Sequence, residues 1–415
     1  MKTRAVRLYG ENDLRLEEFE LPPLNDGDIL IKIVSDSVCM STYKTVKQGS
    51  RHIRVPNDIA EKPVIVGHEF CARIEAVTDK WSGKYRVGEK VIMPPALSYL
   101  EGMQTIGYSF GEIGGDATYC IVRDHMIEHG YLIKLESDAY FSGSLIEPVS
   151  CVVRGYKGSL HLDDDLMPYG NIKPGGKTAI LAGCGPMGLA AIDVALHGPV
   201  KPSLLLVTDI NAQRLARAKE LFDPSKAAED GITLIFSAFS DRQELLSLSE
   251  NTGFDDVFVY TPHADVVELA DKLLAFDGCL NFFAGPLDKD FSAKFNFYNA
   301  HYQQHHVSGT SGSTIGDIHD VVEMLGKKQI DPAVMITHIG GLDATIDTTL
   351  HLPEIPGGKK LIYPHISLPL TAIDSFAQLG KEDSRFAVLA DIVSRHNGLW
   401  CAEAEAFLLD HFSEQ

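Results

Sequence analysis

Through the first 150 residues, short apolar runs alternate with polar breaks in the two-residue rhythm of strands. The clearest runs are Ala5-Val6-Arg7-Leu8, Asp28-Ile29-Leu30-Ile31-Lys32-Ile33-Val34 and Ala72-Arg73-Ile74-Glu75-Ala76-Val77. Turns at Pro22-Pro23, Asn25-Asp26-Gly27 and Val87-Gly88-Glu89 separate them. This predicts a β-rich region whose loops carry side chains on a rigid scaffold. From about Lys177 the rhythm changes. Nearly continuous apolar strands are predicted at 178–182, 204–209, 233–236, 256–260 and 278–283, with helices at 187–196 and 212–221. Such alternation implies an α/β region built on a doubly wound parallel sheet. Beyond about Ser308 the chain is expected to rejoin the first region, and 370–415 to form an extension with helices at 386–394 and 402–409. The expected domains are therefore 1–155 with 309–415, and 156–308.

A chain of 415 residues is long for one hydrophobic core, in agreement with two domains. The net charge of -20 argues against a basic nucleic-acid-binding face and against attachment to an anionic membrane. An anionic substrate would need a local cluster of cations to overcome that field. The seven cysteines follow no framework spacing, and Met1-Lys2-Thr3-Arg4 lacks the apolar run of a signal peptide. No apolar stretch approaches the roughly 20 residues of a membrane span. A reduced, soluble, cytoplasmic protein is expected.

Gly183-Cys184-Gly185-Pro186-Met187-Gly188 falls between a predicted buried strand and a predicted helix. In that setting the first glycine makes a tight turn, the second admits a pyrophosphate, and the third lets helix pack on strand. Alone the hexapeptide also suits a purely structural turn. Asp209 ends the next strand about 20 residues on, where a carboxylate can bind both adenosine ribose hydroxyls. Together they predict a dinucleotide site. Asp209 repels a ribose phosphate, which favours NAD(H) over NADP(H); Arg214, five residues later, partly relieves that repulsion.

Ahead of this fingerprint stand Cys39, the triplet Gly67-His68-Glu69, and Glu147-Pro148. Singly, each has another use: a lone Cys is usually a small buried hydrophobe, and Glu147 suits a helix N-terminus by its charge. Jointly, one Cys, one His and a carboxylate make a zinc site with an open coordination position, the catalytic arrangement.

These residues sit in context. Cys39-x-Ser41, Gly67-His68-Glu69, Arg86-Val87-Gly88-Glu89-Lys90-Val91, Gly114-Gly115-Asp116-Ala117-Thr118-Tyr119, Leu145-Ile146-Glu147-Pro148 and the glycine fingerprint occur in that order. In this the chain resembles the zinc-containing medium-chain dehydrogenase/reductase family, the alcohol and polyol dehydrogenases, from Met1 to about residue 365. The resemblance implies a Rossmann sheet, a GroES-like catalytic domain and NAD(P)-dependent oxidation of CH–OH groups. It implies Cys39 and His68 as zinc ligands, Glu147 in the third-ligand position, and Glu69 as a direct ligand or an exchanging partner of bound water. Ser41 matches the hydroxyl that relays the substrate proton. A homodimer or homotetramer is also implied.

Two departures stand out. Thr42 occupies the place of a frequent acidic residue, and Lys44 lies near that of a distal relay histidine. The family's four-cysteine lobe is reduced to Cys120, so one catalytic zinc and no structural zinc are expected.

Further segments, among them Tyr108-Ser109-Phe110, Leu280-Asn281-Phe282-Phe283-Ala284-Gly285-Pro286 and Gly357-Gly358-Lys359-Lys360-Leu361, are similar to reductases of the sorbose-1-phosphate type. That likeness implies reversible reduction of L-sorbose 1-phosphate to D-glucitol 6-phosphate, with an unphosphorylated polyol of the sorbitol or L-iditol type as the alternative substrate. A sugar phosphate needs cations near the metal, and the basic run from Lys44 to Arg54 follows Cys39 closely. Lys44 and Arg51 are the first choices within it.

Overall fold

The run at 28–34 extends into a ten-residue strand, Ile29–Val38, the centre of the first structural unit in this computed structural model. Residues 1–413 are described; Glu414 and Gln415, the end of the expected extension, lie outside them. Ile29, Ile31 and Ile33 are fully buried, as strand alternation requires. On one side Ile29–Val38 pairs antiparallel with Phe70–Val77, and on the other with Lys359–Tyr363. The full sheet runs Thr371–Ala372, Ile336–Gly341, Lys359–Tyr363, Ile29–Val38, Phe70–Val77, Lys90–Ile92, Ile133–Lys134, and Tyr119–Val122 also pairs with Ile29–Val38. A second sheet joins Asp13–Glu20, Lys2–Gly10 and Val64–Ile65.

The other unit holds a six-stranded, all-parallel sheet in the order Thr233–Ser237, Leu204–Thr208, Lys177–Leu181, Phe254–Val259, Leu274–Phe282, His306–Ser308. In chain order this is 3-2-1-4-5-6, the doubly wound dinucleotide-binding arrangement. Five strands and the helices Pro186–His197 and Ala212–Leu221 fall where the apolar pattern predicts them. The edge strand His306–Ser308 and the hairpin Leu160–Leu162 with Pro168–Gly170 were not anticipated.

The boundaries differ from those expected. The units are Met1–Glu147 with Ile336–Gln415, and Pro148–Met335. The nucleotide unit thus takes in 148–155 and 309–335. The cause is side-chain anchoring: the Tyr156 hydroxyl donates to the Ala191 carbonyl at 2.6 Å. Lys157 pairs with Asp317 at 2.8 Å and with Asp320, both on the helix Ile315–Gly326.

The C-terminal helices, Ser384–Arg395 and Ala402–His411, belong to the first unit and close over one end of its sheet. Trp400 is 1% exposed among Tyr363 and Phe376, and its indole N–H donates to the Tyr363 hydroxyl at 2.8 Å. That hydroxyl donates to buried Glu405, which also accepts the backbone N–H groups of Tyr140 and Phe141, at the start of the short helix Phe141–Ser144. The extension is therefore part of the core. Trp400→Ala should cost about 3–5 kcal/mol, the usual penalty for emptying a large aromatic site. Urea denaturation checks this; a loss under about 1 kcal/mol would show that the extension adds little.

Candidate active site

Three strand ends converge in the first unit. Ile29–Val38 ends at Cys39, while Phe70–Val77 and Lys359–Tyr363, both antiparallel to it, begin at that same end. The register sets Asp36 opposite Phe70 and Lys360 opposite Val38, so Glu69 and Lys359 arrive beside the cysteine. Cys39 is the N-cap of the helix Met40–Gln48, and its sulfur accepts from the Ser41 backbone N–H at 3.4 Å. Gly67 has φ +87°, and a Cβ there would stand 2.6 Å from the Asp116 nitrogen. Only glycine fits, and its turn delivers His68 and Glu69 inward. Val46, Val66 and Tyr108 share one buried cluster, which locks the segments carrying Cys39 and His68 together.

Ligand atoms of Cys39, His68 and Glu69 all lie within 4.8 Å of one another, the one such group of three or more among the described residues. A thiol, an imidazole and a carboxylate at that spacing fit a zinc ion. Thr42 Oγ1 lies 3.3 Å from His68 Nδ1, which leaves Nε2 to face the other donors. A neutral hydroxyl thus orients the ring. Burial holds the His68 imidazole down at about 4, so it stays neutral and able to ligate. Burial, then the Glu69 charge, pushes the Cys39 thiol up to about 12. A thiolate forms there at neutral pH only with a cation against the sulfur.

The group that completes this electrostatics is Lys359, which sequence reasoning left without a role. Its ammonium lies 2.6 and 2.5 Å from the two Glu69 oxygens, and the pair is 5% and 1% exposed. Burial opposes the lysine's charge, but the Glu69 carboxylate outweighs it and raises the Lys359 pKa. Two more carboxyls lie buried alongside: burial lifts Asp116 to about 7, and burial together with the neighbouring carboxylates raises Asp36 well above its ordinary value. Glu147 occupies the first turn of the helix Ile146–Lys157. Its charge reaches Cys39, Tyr108 and Lys359, but it is outside the three-donor cluster. Tyr108, also without an assigned role, has its buried hydroxyl near the side chain of exposed Ser41 and packs 5.2 Å from the His68 ring.

In the second unit the glycine fingerprint joins strand Lys177–Leu181 to helix Pro186–His197, with Gly185 as N-cap and Pro186 and Met187 opening the first turn. A Cβ on Gly188 would meet the Gly183 carbonyl oxygen at 2.1 Å, so helix and turn touch only because residue 188 is glycine. A Cβ on Gly185 meets nothing within 4 Å, which leaves the space a pyrophosphate needs. Asp209 braces this loop, accepting from the Cys184 N–H at 3.2 Å and the Asn211 N–H at 2.8 Å. Arg214 is exposed on the following helix.

Residues 25–131 match the alcohol dehydrogenase GroES-like domain, and residues 186–345 match the zinc-binding dehydrogenase domain. An L-sorbose 1-phosphate reductase of Klebsiella pneumoniae is 45% identical over 410 residues, 99% of this chain and 98% of that one. The chain belongs to the zinc-containing medium-chain dehydrogenases. A mannitol-1-phosphate 5-dehydrogenase of Aliivibrio fischeri is 44% identical over 416 residues, 99% of this dehydrogenase and 98% of its own length. The crystal structure of 2R,3R-butanediol dehydrogenase from Bacillus subtilis shares the fold, with a TM-score of 0.71 and 22% identity over 87% of this chain and 99% of that one. The protein is thus an oxidoreductase of the zinc-type polyol and sugar-phosphate dehydrogenases.

The basic run of this dehydrogenase divides three ways. Arg51 is exposed and paired with Glu11 at 2.7 Å, so its charge is spent at the surface. Lys44 is half-buried on the helix after Cys39, where burial lowers its pKa. Arg54 lies against the Tyr108 ring. Cys120, the remnant of the family's cysteine lobe, is a buried thiol bonded to the Gly114 carbonyl. No helix among the described residues is long and apolar enough to cross a membrane.

Proposed function

We propose that this dehydrogenase reduces L-sorbose 1-phosphate to D-glucitol 6-phosphate reversibly, with NADH as hydride donor and one catalytic zinc per chain. The observation that carries the reading is the Cys39–His68–Glu69 donor cluster, in a chain 45% identical over nearly its whole length to a sorbose-1-phosphate reductase. Cys39 and His68 hold the metal, with Glu147 as third ligand. Glu69, gripped by Lys359, serves as the exchanging carboxylate, because the lysine charge competes with a dication for the same oxygens. When bound, zinc stabilises the negative charge developing on the substrate oxygen, and the nicotinamide supplies the hydride.

The protein's own groups do the rest. Thr42 holds the His68 ring in its ligating orientation. Ser41 delivers the proton to the substrate oxygen as the carbonyl π bond breaks, and its exposure lets solvent resupply that proton. The Tyr108 hydroxyl, near Ser41, stays protonated, since burial raises its pKa well above the ordinary value. The exposed apolar residues Val307, Phe297, Tyr298 and Tyr302, at the edge strand His306–Ser308 and the helix before it, support assembly as a homodimer or homotetramer. The free state of all seven cysteines supports a cytoplasmic setting.

NADH oxidation should be followed with L-sorbose 1-phosphate, D-fructose 6-phosphate and free L-sorbose. The reading expects the first to give the highest kcat/KM. Preference for fructose 6-phosphate would make the protein a mannitol-1-phosphate dehydrogenase, and equal rates with free sorbose a polyol dehydrogenase. The cofactor assignment has its own check. Asp209→Ser should raise the KM for NADH about 10- to 100-fold, the loss of hydrogen bonds to a charged acceptor, and improve NADPH. An unchanged NADH/NADPH ratio would remove Asp209 from the ribose site.

A further inference from the structure

We infer that Arg54, with His52 beside it, is the phosphate-binding element that sets the substrate class of this dehydrogenase; this rests on the sugar-phosphate reading above. In a chain of net charge -20, a cation left without a counter-charge is a place where an anionic group can be held. Nearly every arginine of the first unit is already paired with a carboxylate: Arg4, Arg7, Arg15, Arg51, Arg73, Arg123, Arg385 and Arg395. Among the described residues the exceptions there are Arg54 and Arg86. Arg86 is exposed on a turn. Arg54 is half-buried and directed at the metal site.

Its direction is fixed by stacking. The guanidinium carbon lies 5.9 Å from the centroid of the Tyr108 ring, and the His68 ring lies 5.2 Å from the same centroid. The guanidinium is therefore within the sum of those two distances of the His68 imidazole. The backbone supports the placement: the Arg54 carbonyl accepts from Ser109 Oγ at 2.7 Å, one residue from Tyr108. His52 stacks on Tyr108 at 5.5 Å, and its Nδ1 accepts the Arg54 backbone N–H at 3.2 Å. That bond puts the ring proton on Nε2, so the imidazole presents a second donor. Burial lowers the His52 pKa, so the group is neutral and adds no charge. A planar guanidinium fork with one neutral N–H beside it matches the oxygens of a phosphate monoester. In a ketose 1-phosphate, phosphorus is three bonds from the carbonyl carbon, so one molecule places its phosphate near its reacting carbonyl. Arg54 and His68 flank one ring, Tyr108, which puts the two matching protein groups against the same side chain.

The test compares the parent with Arg54→Met, Arg54→Lys and His52→Ala in NADH oxidation with L-sorbose 1-phosphate, and with inorganic phosphate as competitive inhibitor. Arg54→Met should raise the KM for the ester and the inhibition constant of phosphate together, each about 10- to 100-fold, with kcat within a few-fold. Arg54→Lys keeps the charge without the fork and should fall between, and His52→Ala should shift both constants a few-fold. An Arg54→Met protein with the parent melting temperature and parent constants would overturn the inference. So would a loss of kcat with phosphate inhibition unchanged, which is the mark of a structural residue. A parent that reduces no phosphate ester overturns the sugar-phosphate reading itself, whatever the variants do.

Discussion

Cys39→Ala should abolish carbonyl reduction, by more than about a thousandfold, while NADH binds as it does to the parent. Cys39 carries two functions at one atom. Its sulfur caps the helix Met40–Gln48 and is one of three clustered donors. Removing it leaves His68 and the carboxylates without the one soft ligand that favours zinc over hard cations. The lost charge stabilisation of the substrate oxygen is worth several kcal/mol, which sets the size of the expected drop. The glycine loop and Asp209 belong to the other unit. Zinc content by atomic absorption, NADH binding by fluorescence and turnover, measured on one preparation, separate these effects. A Cys39→Ala protein that kept turnover would end the zinc mechanism. One that lost NADH binding too would point to general unfolding.

The second large effect concerns stability. Lys359→Met should destabilise the protein by about 3–5 kcal/mol, because it leaves the Glu69 carboxylate buried without a counter-charge. The cost belongs to the orphaned charge, not to the ion pair. A double variant, Lys359→Met with Glu69→Gln, removes both charges and should recover much of the loss. Urea denaturation of the four proteins in the cycle measures the coupling. If Lys359→Met alone costs under about 1 kcal/mol, Glu69 has another partner for its charge and the account of the site changes. The same cycle bears on Glu69 as an exchanging carboxylate, since a lysine that binds it tightly limits its time on a metal.

Much of this architecture is legible in the chain because burial and pattern agree. The strands of the parallel sheet are covered on both faces, so they read as unbroken apolar runs, and the fingerprint falls exactly between strand and helix only where a turn can be glycine. Strand His306–Ser308 escapes notice because it has three residues and lies on the sheet edge, with Val307 facing outward. Strand Lys359–Tyr363 escapes for the opposite reason. It opens on two lysines, which reads as surface, yet both are buried. Lys359 is compensated by Glu69, and the Lys360 ammonium by the carbonyls of Ile355, Pro356 and Gly358. Neither compensation is visible locally in sequence. The gathering of Cys39, His68 and Glu69 was legible from motif and context. The division of labour among them was not, because it depends on Lys359, nearly three hundred residues from Glu69. Arg51 and Arg54 stand three residues apart in one basic run. What separates them is Glu11, which binds one and leaves the other facing Tyr108.

The central claim is a zinc-dependent reduction of a sugar phosphate. The most direct test is the rate of NADH oxidation with L-sorbose 1-phosphate on purified protein, before chelation, after it, and after zinc is restored, with bound zinc counted at each stage. The account predicts one zinc per chain, turnover lost with that zinc, and turnover regained on its return. Turnover that survives complete removal of zinc would contradict it, and two tightly held zincs per chain would contradict the single-site reading.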